Sequence, residues 1–220
     1  IKFREDIGND QFDTFMSVSE GFLLDLGGVA ASPIASSAAL AAQIVTPDTT
    51  PPAVLDVSLD LSTEQLRIDF DEIVKVQSLI FSRIFIRNSS LFANSTSEVG
   101  MSSLSIVHSA VNTNSVFINI TDGDLLLLKL NRELATSTNN TWVELEDGAV
   151  TDMSRIPNPA RVSVTRAGSV APDTVPPKLL NFAVVMNSTS LVLNFDEPVD
   201  TATFNATAIT LQSDSTAGGG

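Results

Sequence analysis

Hydrophobic and polar residues alternate with a period of two over much of this chain, a pattern that sends successive side chains to opposite faces of a strand and marks a sheet with one buried side. Leu55, Val57 and Leu59 alternate with polar or small residues, as do Leu66, Ile68 and Phe70, with Ser62-Thr63 between the two runs. An antiparallel hairpin is predicted. The arrangement returns as Leu180, Phe182 and Val184, then Asn187-Ser188-Thr189, then Leu191, Leu193 and Phe195. Segments 83–87, 103–108, 115–120, 141–146 and 161–166 read as further strands, several of them rich in Ile, Val and Phe. The exception is residues 124–134. There a Leu run with Lys129, Arg132 and Glu133 follows an expected turn at Asp122-Gly123-Asp124 and predicts a short helical segment, Asp124 to Leu134.

The pattern is periodic on a larger scale. Pro47-Asp48-Thr49-Thr50-Pro51-Pro52 returns as Pro172-Asp173-Thr174-Val175-Pro176-Pro177, and 172 minus 47 gives an offset of 125. At that offset residues 47–88 align with 172–213 without a gap, and about a dozen positions are identical, among them Leu66 with Leu191, Phe70-Asp71-Glu72 with Phe195-Asp196-Glu197, and Ile84 with Ile209. A second match, Thr14-Phe15-Met16 through Gly21 to Asp25-Leu26 with Thr141-Trp142-Val143 through Gly148 to Asp152-Met153, has an offset of 141 minus 14, or 127. Three prolines in six residues cannot continue a helix or a central strand, so the repeated hexapeptide reads as a stiff, extended joint. The expected division is residues 1–46 as the back half of one module, 47–171 as a complete module and 172–220 as the front half of the next, a slice through a longer array. Short strands with turn-rich gaps over a module of this length suit an all-β, two-sheet sandwich of the immunoglobulin-like class.

Particular residues carry a resemblance. Phe195-Asp196-Glu197-Pro198-Val199-Asp200, followed by Phe204 and Ile209-Thr210-Leu211, resembles the strand-and-turn signature of bacterial-type immunoglobulin-like and cadherin-like repeats, which begin with a similar Asp-Thr-x-Pro-Pro connector. The longer pattern of Asp124-Leu125 and Lys129, then Leu134-Ala135-Thr136-Ser137, Asn140-Thr141-Trp142 and Asp152-Met153, is similar to tandem repeats of very large secreted proteins of algae and other stramenopiles. This resemblance spans nearly the whole chain. It implies an immunoglobulin-like fold and a role as spacer, adhesin or filament subunit, and it names no ligand. The first copy departs from the signature at Ile73, where the second has Pro198, and in its more apolar Leu79-Ile80-Phe81. Contact between modules or chains would explain the change, as would drift between repeats.

Composition narrows the function. With 43% hydrophobic residues and a mean hydropathy of +0.22, the 220 residues can bury a core. Twelve Lys and Arg against 26 Asp and Glu leave a formal net charge of -14 with no basic run, which argues against nucleic acid and anionic membrane surfaces as partners. Cysteine is absent, which removes disulfides and thiolate chemistry. No run approaches the roughly 20 apolar residues that cross a bilayer, so no membrane insertion is expected in this segment.

Candidate chemistry is sparse. Asp71-Glu72 and Asp196-Glu197 are paired carboxylates, but adjacent strand residues point to opposite faces, so a strand-end turn fits them better than glycosidase-type catalysis. No enzyme is expected. Asp48 or Asp173, with a carboxylate at a sheet end, offers hard oxygen ligands for calcium at a module joint. An Asx turn accounts for Asp48 without a metal and is the favoured reading. The single histidine, His108, builds neither a triad nor a multi-histidine zinc site and reads as a strand residue. Trp142 aligns with Phe15, and an aromatic that recurs as an aromatic reads as core. Asn88, Asn94, Asn119, Asn139, Asn187 and Asn205 each begin an Asn-x-Ser/Thr triplet, so N-linked glycans are the expected modification. No other cofactor is expected. The leading expectation is a structural module of a glycosylated extracellular or cell-surface filament, such as a flagellar hair-like (mastigoneme-like) appendage, whose partners are other copies or neighbouring modules. The alternative is a surface adhesin that recognises glycans or a protein partner.

Overall fold

The computed structural model describes residues 6–102, 106–107, 111–154 and 157–213. In chain order these form β1 (Phe15–Met16), β2 (Leu40–Ala41), β3 (Val54–Asp60), β4 (Gln65–Val74), β5 (Ile84–Arg87), β6 (Glu98–Gly100), β7 (Ile106–Val107), β8 (Thr113–Asn119), α1 (Asp122–Leu130), β9 (Trp142–Leu145), β10 (Ser163–Arg166), β11 (Ser169–Ala171), β12 (Leu179–Val185) and β13 (Ser190–Phe195). The protein is mostly β with one α-helix among the described residues. It divides into two compact units, one ending at Thr174 and one beginning at Val175. Residues 6–46 fall in the first unit with 47–171.

The first unit holds a five-stranded sheet, β11-β3-β4-β8-β7, a four-stranded sheet, β10-β9-β5-β6, and the β1-β2 pair. None closes into a barrel. Neighbouring strands are antiparallel except β11, which runs parallel to β3. The period of two decides which side chains meet inside. Leu66, Ile68, Val116 and Ile118 from the larger sheet and Ile84, Ile86, Val143 and Leu145 from the smaller are all 0% exposed and belong to one core. Each such side chain contributes about 1.5–3 kcal/mol by leaving water. Two sheets sharing one core are compatible with a β-sandwich.

The helix begins earlier than its Leu run suggests. Thr121 is extended (φ -73°, ψ 155°) and its Oγ1 accepts the Asp124 amide at 3.2 Å, so Asp122-Gly123-Asp124 is the first helical turn and not a separate one. Asp122 and Asp124 sit where the helix dipole favours negative charge. Leu125 and Leu128 face the core, and the helix stops at Leu130, four residues before the expected end at Leu134. Of the expected strand 103–108 only β7 is described, and His108 lies outside the described residues. Trp142 is not core: β9 turns Val143 and Leu145 inward at 0% exposure, which leaves Trp142 half-buried on the outer side. Phe15, its counterpart, is 51% exposed.

The second unit contains the hairpin β12-β13, and here the sequence offsets reappear as geometry. Val57 opposes Ile68 and Leu59 opposes Leu66 in β3-β4; Phe182 opposes Leu193 and Val184 opposes Leu191 in β12-β13, all at an offset of 125. The irregularity between Val54 and Asp56 returns between Leu179 and Asn181. Glu64 (φ 59°) and Thr189 (φ 49°) take the same left-handed turn position, which L-residues adopt at some cost. Short 3-10 turns at Val76–Ser78 and Phe81–Arg83 match those at Thr201–Thr203 and Ala206–Ala208. At the offset of 127, Gly8 (φ 87°) matches Ala135 (φ 59°) and Gly21 (φ 77°) matches Gly148 (φ 72°).

Candidate functional site

Several side-chain contacts gather where the proline connectors meet the first unit. At the incoming connector the Asp48 carboxylate accepts the Thr50 amide at 3.0 Å, the Asx turn expected from the sequence. The Asp48 carbonyl accepts Asn158 Nδ2 at 3.0 Å, which fixes the connector to the loop before β10. Asp71 and Glu72 then part company. Asp71 is exposed, and its Oδ1 accepts the Ala53 amide at 2.8 Å while its own amide donates to the Ala53 carbonyl at 3.0 Å. Asp196 does the same for Lys178, accepting its amide at 2.7 Å. Both aspartates therefore pin the start of a strand to the end of its hairpin partner.

Glu72 turns to the other side. It lies in β4 between Asp69 and Val74, where the pairing with β8 shifts register. One carboxylate oxygen each from Asp48, Glu72 and Asp152 lie within 4.8 Å of one another. Asp152 reaches this point through an isolated bridge to Val74 and is 1% exposed. Its Oδ1 accepts the Ser154 amide at 3.2 Å and the Asn158 amide at 2.8 Å; its Oδ2 accepts Ser154 Oγ and Asn158 Nδ2, each at 2.8 Å. Three carboxylates suit a hard cation such as calcium, which takes 6–8 oxygen ligands in all. Yet the protein alone already satisfies Asp152, and a cluster of acidic groups by itself carries no metal assignment. Asp25, the counterpart of Asp152, accepts the Gly27 and Val29 amides at 2.9 and 2.8 Å, so the loop-closing role recurs. That recurrence was the sequence signal for Asp152; its meeting with Glu72 had none.

The outgoing connector is held by different chemistry. Lys129 Nζ lies 2.7 Å from Asp173 Oδ2, with both side chains largely buried. Ser62, in the turn between β3 and β4, donates to the Pro172 carbonyl at 3.1 Å and accepts the Thr174 amide at 3.2 Å. Thus Asp48 and Asp173, alike in a Pro-Asp-Thr-x-Pro-Pro context, have different partners.

Away from the connectors, Arg87 is 6% exposed, with Nε 3.1 Å from Glu98 and Nη1 2.5 Å from Glu144, and its guanidinium stands 5.5 Å from the Phe85 ring centre. Asn88 follows Arg87 directly in the chain. Asn88 is half-buried, donates Nδ2 to Thr96 Oγ1 at 2.8 Å and accepts the Thr96 amide at 3.2 Å. Asn119 is also half-buried, sits between the buried Ile118 and Ile120 on the opposite face of the alternation, and accepts Gln65 Nε2 at 3.2 Å. Asn94, Asn139, Asn187 and Asn205 are exposed, Asn187 in the turn between β12 and β13. Asn139 accepts Arg166 Nη2, and Asn205 caps a turn by accepting the Thr207 amide at 3.1 Å.

Among the described residues no helix is long and apolar enough to cross a membrane. Compared with protein-family models, with curated proteins and with solved structures, the chain matches none.

Proposed function

We propose that this protein is a structural segment of a glycosylated extracellular filament, assembled from immunoglobulin-like sandwich modules in series. The observation that carries the reading is the recurrence of β3-β4 as β12-β13 with the same register, the same irregularity and the same left-handed turn position. A fold that repeats at this level of detail supports a chain of equivalent bodies in place of one body with one active centre. The connectors support it further. Asn158 and Asp71 fasten the incoming side, Ser62 and Lys129 the outgoing side, and proline restricts what lies between. Proline-rich joints are stiffer and more extended than Gly/Ser linkers of the same length. The exposed Asn139, Asn187 and Asn205 lie at short 3-10 turns, where an attached glycan is accessible to solvent.

Arrays of three, four and five copies of residues 47–171, secreted from a eukaryotic host and viewed by negative-stain electron microscopy, test the proposal. Rods whose length rises linearly with copy number are expected. Globular or randomly coiled particles would refute it.

A further inference from the structure

The outer face of the five-stranded sheet is polar along β4 and β8 except at one residue. β8 sends Val116 and Ile118 into the core, so Phe117 and Asn119 stand two positions apart on the other side. Across the strands the register sets Gln65 opposite Asn119 and Arg67 opposite Phe117. Phe117 is half-buried, and the Arg67 guanidinium, itself 2.9 Å from Asp69, stands 5.6 Å from its ring centre. The ring keeps exposed surface although Arg67 contacts it. Asn119 is held through its oxygen: Oδ1 accepts Gln65 Nε2 at 3.2 Å, and Nδ2, the atom that an N-linked sugar is joined to, takes no part in that bond. Asn88 differs, because its Nδ2 donates to Thr96 Oγ1.

We infer that Asn119 carries an N-linked glycan whose first sugar lies back along β8 against Phe117. Two strand positions span about 6.8 Å, so the first sugar reaches the ring and later ones extend past it. The apolar C–H face of the sugar meets the electron-rich face of the ring, while Gln65 and Arg67 place hydrogen-bond donors beside its polar edge. Attachment precedes folding. In the folded chain Ile120, the middle of the triplet, is 5% exposed, and Thr121 Oγ1 already accepts the Asp124 amide as the cap of α1. On the unfolded chain Asn119 Nδ2 bonds to the anomeric carbon of a lipid-linked oligosaccharide. The bond from that carbon to the donor's pyrophosphate oxygen breaks, and the amide gives up one proton. β8 then closes with the sugar outside, and Phe117 becomes its seat on an otherwise polar face. The inference rests on the reading of the chain as a secreted glycoprotein.

The test uses the full 220-residue chain secreted from a eukaryotic host and trimmed enzymatically to the first sugar at each site. Glycopeptide mapping should find Asn119 occupied, and NMR should show Overhauser contacts between that sugar and the Phe117 ring, a readout that needs no variant to fold. Urea unfolding followed by Trp142 fluorescence then compares Asn119→Gln in two backgrounds. With Phe117 present, loss of the sugar should lower the midpoint by about 0.3–0.7 M. In the Phe117→Leu chain, which keeps an apolar side chain without the π face, the same loss should lower it by less than about 0.1 M. The bond to Gln65 is lost equally in both backgrounds and cancels. An occupied Asn119 without the ring contacts, or with equal shifts in the two backgrounds, would overturn the inference. An empty Asn119 with Asn187 and Asn205 occupied would overturn it and leave the secreted reading standing. Absence of glycan at all six triplets would sink both.

Discussion

Leu59→Ala and Val184→Ala alter the same position of the repeat in two different surroundings. Leu59 is 1% exposed and faces Leu66, whereas Val184 is 47% exposed and faces Leu191. Truncating Leu59 empties space in a closed core, which costs about 2–5 kcal/mol. Truncating Val184 removes two carbons already half in water; at about 0.8 kcal/mol per buried methylene the loss is about 1 kcal/mol or less. Trp142, the single tryptophan, stands in β9 of the first unit and reports on that unit. Urea unfolding followed by its fluorescence should show the midpoint falling by about 1–2.5 M for Leu59→Ala, taking a slope of about 2 kcal/mol/M. For Val184→Ala the tryptophan midpoint should stay in place, since the change lies in the second unit. Equal shifts for the two variants would show that the units unfold together and that burial at one is not independent of the other. A Leu59→Ala shift below about 0.3 M would refute the packing argument itself.

Three further outcomes follow from side-chain hydrogen bonds. Asp13 Oδ1 accepts the amides of Asn9 and Asp10, both at 3.1 Å, and the Asp10 amide above all lowers its pKa from 3.8 to about 2. A folded-state pKa below the unfolded one means that the turn gains stability above pH 3.8 and loses it as pH falls through about 2; an NMR titration midpoint near 3.8 would contradict this. Asp13→Asn should preserve the turn, because Asn140, its counterpart at the offset of 127, accepts the Thr136 and Ser137 amides at 3.2 and 2.9 Å in the same way. Glycopeptide mapping of material secreted from a eukaryotic host should find Asn187 and Asn205 occupied and Asn88 largely empty, since the Asn88 amide is already engaged with Thr96 across its loop; heavy occupancy at Asn88 would show that the loop forms without that contact.

The strands β3, β4, β8, β9 and β10 were legible in the sequence because each is long enough for alternation to show. The three-residue β6 and β11 are too short for any period and owe their place to neighbours already in the sheet. Thr121 was a readable helix start, with Asp124 three residues on, but the Asp-Gly-Asp composition points to a turn when taken alone. Trp142 illustrates a different limit. Recurrence of an aromatic shows that a position matters, whereas only the pairing of Val143 and Leu145 with the core shows which way it faces. At the connector, the Asx turn of Asp48 depends on two residues and could be read locally. The approach of Asp152 to Glu72 depends on the bridge between Val74 and Asp152, 78 positions apart (152 minus 74), and no local pattern encodes it.

The parallel pairing of β11 with β3 has a mechanical meaning. Ser169, Val170 and Ala171 lie against Ser58, Leu59 and Asp60, so the strand that leads to the outgoing connector ends beside the end of the strand that the incoming connector begins. Tension applied through the two connectors pulls β3 backward and β11 forward along the same line. Their hydrogen bonds are then loaded in shear and must fail together, whereas a hairpin pulled from its open end unzips one bond at a time.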